Sequence, residues 1–422
     1  MTSQSTPATS PRPAGESAGV TAADRSFPLG PLLTTLAVQT LSTAAAYSIP
    51  AVAPAVAADL AVNPGLIGFF ISTVYGVGIL SALLSPPVIA RRGAVAVSQA
   101  VLVATVVMLA TAATGTLAAV AASAMLMGLA YGATAPASTH LLVPRTSPAY
   151  MNLVLSIRQI GVPLGGMLAS LVMPPLTLRW GWQAVLLAQL VPVVVLGIAM
   201  QILCRHWDAA RTYDPAAKKP SLLAPLAMLK TSSPLRRLSL VAFIYSGMQL
   251  CFMVFMTTQL TTKAGFDLVR AGQALAAYQL AGVISRPIWG WLSDRVMGAR
   301  WWLGLQGIIS CAAAIAAGTF STAWPQPLVF VVCMIAGATA SGFTGIAYGE
   351  YARLGGTRRT EATGMGAACM FAGVMVLPSV VSVVVTMTGS YERAYATIGL
   401  LALVAGLGMI VAWREPVSPE RP

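Results

Sequence analysis

From Pro31 onward the chain is a succession of long uncharged runs separated by short polar breaks. About 20 mainly apolar helical residues cross the roughly 30 Å hydrocarbon core of a bilayer. Cutting the runs on that ruler predicts twelve spanning helices, near 32–58, 65–89, 94–115, 117–143, 152–175, 182–203, 237–262, 268–292, 302–321, 327–349, 362–387 and 391–413. Two runs are too long for one crossing. Residues 93–139 carry no charge and break at Thr114–Gly115–Thr116, and residues 303–349 break at Trp324–Pro325–Gln326–Pro327. The remaining polar segments predict a tail over 1–31, a basic linker over 204–236 and a short tail over 414–422. Residues 1–31 lack the basic start and apolar core of a signal peptide, and their Ser, Thr, Pro, Ala and Gly have nothing to bury, which predicts disorder.

The basic residues choose an orientation. With both ends cytoplasmic, nineteen Lys and Arg fall on the inner side, seven of them between Arg205 and Arg237, and four (Arg179, Lys263, Arg270, Arg393) on the outer side. Lys and Arg concentrate on cytoplasmic loops, so the bias predicts both termini inside and an even number of spans. Composition agrees: 57% of the 422 residues are hydrophobic and 9% are charged, where a soluble chain has about 25% charged. The net charge of +13 therefore goes with membrane topology, and nucleic acid is not an expected partner. Cys204, Cys251, Cys311, Cys333 and Cys369 are scattered through apolar runs without a CxxC pair, which predicts neither a metal site nor a disulfide framework. Ala-rich, Arg-over-Lys usage points to a bacterial cytoplasmic membrane.

The linker divides the spans six and six, and the halves are weakly alike. Pro86-Pro-Val-Ile-Ala90-Arg91-Arg92-Gly93 follows the second span, and Gly290-Trp-Leu-Ser-Asp294-Arg295 follows the eighth. Met127-Gly128 in the fourth span recurs as Ala336-Gly337 in the tenth. Two six-helix halves suit a secondary transporter built from repeats, with its site at their interface.

Gly290-Trp-Leu-Ser-Asp294-Arg295-Val-Met-Gly298-Ala-Arg300 resembles the G-x-L-x-D-R-x-G-R-R loop of the major facilitator superfamily, with one extra residue. Ser156-Ile-Arg158-Gln159-Ile-Gly161-Val-Pro163-Leu-Gly165-Gly166 is similar to a fifth-span segment common in bacterial members, and only partly matches the G-P-x-x-G-G antiporter pattern. The resemblance covers about 29–413. It implies an all-α membrane fold of two six-helix bundles related by a pseudo-two-fold axis, and transport by alternating access. It also implies gating roles for Gly290, Asp294, Arg295 and, in the degenerate first-half copy, Arg91, where Ala90 stands in place of the family's Asp. Gly290 lets a helix approach closely. Asp294 is unfavourable at its own helix C-terminus but welcome against the N-terminus of a neighbouring helix.

Ionisable groups inside a span are functional by default. Arg286 lies eight residues before Asp294, about 12 Å deep at 1.5 Å per residue, and Arg158 lies seven past Met151, about 10 Å deep. The superfamily resemblance places the fifth and eighth spans opposite one another, so the two guanidinium groups are expected to share a cavity and favour a carboxylate or phosphate. The alternative is that each snorkels to the headgroups or joins the gate beside Asp294. No carboxylate lies deep within a span; Asp59, Glu350 and Glu361 fall at ends, and Glu350 is the candidate for proton coupling. His140 has a pKa suited to switching.

The first, fourth, seventh and tenth spans, which line the superfamily cavity, carry Gln39, Tyr47, Tyr131, Thr134, Tyr245, Gln249, Ser341 and Tyr348 as polar or aromatic candidates. Gly128, Gly132, Gly161 and Gly165 have the spacing of close helix packing. ATP-binding and hydrolase motifs such as G-x-x-x-x-G-K-[ST], H-E-x-x-H and G-x-S-x-G are absent. The expectation is a cofactor-free, monomeric carrier of a small organic anion, with protons as the default coupling ion. A multidrug exporter of lipophilic cations is the alternative within that class, and a non-transporting sensor on the same fold is the alternative outside it.

Overall fold

The computed structural model of the protein describes residues 27–62, 64–208 and 223–411. Arg211, Lys218 and Lys219 of the linker and both extreme tails lie outside them. Every regular element among the described residues is helical. The first half holds α1 (Leu29–Ala51), α2 (Ala53–Asp59), α3 (Pro64–Arg92), α4 (Ala94–Ala112), α5 (Leu117–Leu142), α6 (Met151–Gln159), α7 (Gly161–Trp180), α8 (Trp182–Ala188) and α9 (Leu190–Leu203). After the linker helix α10 (Leu223–Thr231) come α11 (Ser233–Lys263), α12 (Leu268–Arg295), α13 (Ala299–Gly318), α14 (Gln326–Ala340), α15 (Thr344–Gly355), α16 (Arg359–Thr388) and α17 (Tyr391–Val411).

Four predicted spans are each built from two helices. Pro54 opens α2 after the first break, and Pro163 and Pro192 follow the breaks at Ile160 and Gln189. Each proline removes a backbone donor from the helix ladder. In the tenth span the turn is Ser341–Gly342–Phe343, between α14 and α15. Among the described residues, ten stretches are long and apolar enough to cross a membrane by length and composition alone. The longest, Gln326–Thr388, contains two crossings. The helix α12 is not among the ten, for it carries Gln273, Gln279 and Arg286 along with its apolar residues.

Within the first half α3 packs on α5, α1 on α7 and α4 on α9. In the second half α12 packs on α14, α11 on α16 and α13 on α17, which is the same set of span pairs repeated. Glycines at equivalent places permit it. A Cβ on Gly128 would strike the Val74 carbonyl of α3, and one on Gly337 would strike the Tyr278 carbonyl of α12. One apolar core lies wholly within Val38–Cys204. The other runs from Met228 to Met409 and takes in Leu32, Ala82, Leu83, Ala135, Leu142, Val154 and Leu155 of the first half. Those visitors mark the seam, where α6 meets α12 and α15 while α16 meets α3 and α5. Large exposed apolar side chains such as Leu178, Val404 and Val411 cover the outside, as a hydrocarbon solvent requires.

Candidate functional site

Arg91, Arg92, Arg145, Arg295, Arg300 and Arg353 gather at one end of the molecule, called here the arginine-rich end. The halves are closed there. The Asp294 carboxylate, at the last turn of α12, accepts the backbone N–H of Asn152 at 3.1 Å, its side-chain amide at 2.8 Å and the Leu153 N–H at 2.9 Å. It thus caps the positive end of α6 in the other half. Arg295 beside it lies 5.0 Å from the centre of the Tyr150 ring. Gly290 sits under Asn152 and Ser156, and Gly345 and Gly349 of α15 make a second track against the same two residues. His140 Nδ1 is 2.9 Å from Thr360 Oγ1 across the seam. Arg91 and Ala90 are exposed at the end of α3. Glu350 is buried and receives Arg353 at 2.6 and 2.9 Å.

Above this seal a cavity of about 140 Å³ lies between the halves. The first half contributes Gln39, Tyr47, Tyr75, Tyr131, Thr134, Arg158 and Gln159, and the second contributes Gln249, Gln279, Thr344, Tyr348, Met370 and Phe371. Ser170, farther from Asp294 along α7, also lines it and is exposed. Of the sequence candidates, Gln39, Tyr47, Tyr131, Thr134, Arg158, Gln249 and Tyr348 are therefore in the wall. Tyr245 is not: its hydroxyl donates to the Leu303 carbonyl at 2.8 Å, inside the second bundle. Arg286 is set behind the wall.

Arg158, Arg286 and Glu350 are the buried charged residues among those described. Arg158 donates to Gln39 Oε1 at 2.7 Å and to Gln159 Oε1, while its Nε has no partner. Gln39 in turn donates to Thr43 Oγ1 at 2.9 Å, which lies 3.3 Å from the Tyr131 hydroxyl. Arg286 donates to the Ser341 carbonyl at 3.1 Å, the Ser341 hydroxyl at 2.9 Å and the Gln159 carbonyl at 2.8 Å. The ion pairs among the described residues are Arg270–Asp267, Arg353–Glu350 and Arg358–Glu361, all at helix ends. The hydrogen bonds of both buried arginines thus go to neutral oxygens only. A buried charge without a countercharge is expensive, by several kcal/mol even after relaxation.

The aromatic part is a collar. Phe371 stacks on Tyr131 at 5.8 Å between ring centres and meets the edge of Tyr75 at 5.2 Å. The hydroxyls of Tyr47 and Tyr75 are 3.0 Å apart. Sequence reasoning missed Tyr75, Phe371, Gln159 and Gln279. Tyr75 and Phe371 belong to the second and eleventh spans, which the candidate list left out, and Gln159 stood unremarked beside Arg158.

Two helical bundles repeating one set of contacts, an apolar exterior and a polar cavity on the seam define a polytopic membrane protein with a central site between its repeats. A model of the Major Facilitator Superfamily matches residues 35–353 and 238–422, and the chain belongs to that family. It is a family of transporters rather than enzymes. A gentisate transporter of Corynebacterium glutamicum is 27% identical over 309 residues, 68% of this chain and 65% of that protein. A probable nitrate/nitrite transporter of Mycobacterium tuberculosis is 31% identical over 190 residues, 43% of this chain and 45% of that one. The chain thus spans under two thirds of the length of either relative. The solved fucose:proton symporter of Escherichia coli superposes with a TM-score of 0.71 at 14% identity, covering 92% of this chain and 99% of that one, which speaks for the fold.

Proposed function

We propose that the protein is a secondary carrier that moves a small aromatic carboxylate across a bacterial cytoplasmic membrane by alternating access. The observation that carries this reading is Arg158, a buried cation in the cavity wall with neutral partners and an unpartnered Nε. A ligand carboxylate supplies the missing countercharge and accepts from the guanidinium fork, a charge-assisted bond roughly twice as strong as a neutral one. Tyr47, Tyr75, Tyr131, Tyr348 and Phe371 then surround the remainder of the ligand. A cavity of ~150 Å³ takes up benzene, and this one is of that size. Gln249 and Gln279, on the opposite wall, offer amides to ring hydroxyls. The gentisate transporter among the relatives supports an aromatic hydroxy acid as the cargo.

The arginine-rich end faces the cytoplasm in this reading, with both termini inside and the monomer as the working unit. The described conformation is then sealed inside, with Gly290, Asp294 and Arg295 in the gate. Proton coupling, the default, does not run through a cavity carboxylate. Glu350 is the buried acid assigned to it, midway along α15 and paired with Arg353. A second reading, an inorganic anion, draws on the nitrate/nitrite relative. The aromatic collar favours the ring, since nitrate has nothing to stack. Lipophilic cations are disfavoured by two buried arginines and a wall without acid.

The test is thermal stability of the detergent-purified protein with benzoate, gentisate, nitrate and tetraphenylphosphonium. A ligand that binds the folded state stabilises it by mass action, by about 2.7 kcal/mol at 100 times its Kd. The reading expects gentisate and benzoate to raise the Tm, nitrate to do so weakly, and Arg158→Gln to abolish the effect. Stabilisation by tetraphenylphosphonium alone, indifferent to the substitution, contradicts it and favours the exporter.

A further inference from the structure

We infer that Gln159, set in place by Pro163, is the positioning residue through which an anion in the cavity loosens the seam between the halves. The inference rests on the anion reading of the site. Gln159 meets both buried cations. Its side-chain oxygen accepts from Arg158 of its own half, and its main-chain carbonyl accepts from Arg286 of the other at 2.8 Å.

That carbonyl is available for a local reason. In an unbroken helix it would accept the N–H four residues on, and residue 163 is a proline without one. The helix breaks at Ile160, whose N–H turns back to Ile157 at 3.0 Å, and the Leu164 N–H makes its ordinary bond to the Ile160 carbonyl at 3.1 Å, which leaves the Gln159 carbonyl for Arg286. Arg286 is anchored on its own side to Ser341, at the break between α14 and α15. A single guanidinium therefore ties a helix break in one half to a helix break in the other, using only neutral acceptors.

A carboxylate held at Arg158 brings a stronger acceptor beside that bond. Charge-assisted hydrogen bonds outcompete neutral ones, so Arg286 turns from the Gln159 carbonyl to the ligand. The seam then loses its deepest tie between α6 and α12, while the Asp294 cap remains. Occupancy of the site and release of the seal become one event, and an empty carrier stays shut at the arginine-rich end.

The experiment reads the seam directly. Spin labels at Ala90→Cys on α3 and at Lys230→Cys on the linker helix α10, which packs on α11 and α16 of the second half, are measured by electron–electron double resonance with the five native cysteines replaced. Pro163→Ala restores an N–H that competes for the Gln159 carbonyl, and Arg286→Gln removes the tie in case the first variant folds poorly. Without ligand, both variants are expected to raise the ratio of long to short distances roughly tenfold over the parent. Saturating gentisate should lengthen the parent's distances and add little in Pro163→Ala. Unchanged ligand-free distributions in both variants overturn the inference, even where gentisate still stabilises the parent thermally. Failure of gentisate, benzoate and nitrate to stabilise the parent instead overturns the anion site, and the ligand-free comparison shows that failure to be a separate one.

Discussion

A guanidinium buried inside a helical bundle needs either a partner or a reason. Arg286 has its partners in Ser341 and Gln159, whereas Arg158 keeps one nitrogen unused and faces the cavity. Removing an interaction with a charged group costs about 1.5–3 kcal/mol. Arg158→Gln should therefore weaken gentisate binding roughly 10- to 100-fold by calorimetry, with Arg158→Lys falling between because it cannot form the bidentate fork. Equal affinity in all three forms would exclude Arg158 from the site. Phe371→Ala tests the collar: it should weaken gentisate binding more than nitrate binding, because only the former has a ring to stack. That both arginines lie inside the protein was legible in the sequence, since each stands well within a long apolar run. Their separate roles were not, because no spacing rule says which carbonyl a guanidinium will find across a seam.

Among the elements, α6 carries most of the seal. Its first turn is capped by Asp294, and its face at Asn152 and Ser156 rests on Gly290, Gly345 and Gly349. A Cβ on Gly345 would meet the Cα of Ser156, which cannot turn aside, while one on Gly349 would meet the movable amide of Asn152. Gly345→Ala should thus open the arginine-rich end more than Gly349→Ala, seen as faster alkylation of a cysteine placed at Ser293, which is buried beside the seam. The reverse order would show that α6 is not held by that track. Asp294→Asn should act in the same direction, because an amide is a poorer cap than a carboxylate at a helix N-terminus. The seal is also reversible by construction: Asn152 Oδ1, Ser156 Oγ and Thr344 Oγ1 are buried without partners along it. Each such group costs about 1–3 kcal/mol until water reaches it. Uncharged runs made the spans visible in advance. The breaks at Val52, Ile160, Gln189 and Ser341 were not visible, because a proline or glycine in an apolar run marks a kink, a hinge or nothing, and packing decides which.

For the whole molecule, the repeated contacts explain why a chain with so few charges builds one polar cavity. Each half buries its own core, and Gln39, Tyr131 and Arg158 of one half meet Gln249, Gln279 and Tyr348 of the other at the seam. Proton coupling belongs at this scale too. Glu350→Gln should abolish gentisate accumulation driven by an imposed pH gradient while leaving exchange across equal pH intact, measured in vesicles. Loss of both would make Glu350 structural, through its bidentate contact with Arg353. The most direct measurement is counterflow of radiolabelled gentisate in proteoliposomes holding the purified protein, with unlabelled benzoate, gentisate or nitrate inside. The account predicts labelled uptake driven by internal gentisate and benzoate, weak drive by nitrate, and no counterflow with Arg158→Gln. Counterflow that survives Arg158→Gln unchanged, or that nitrate alone drives, would contradict it.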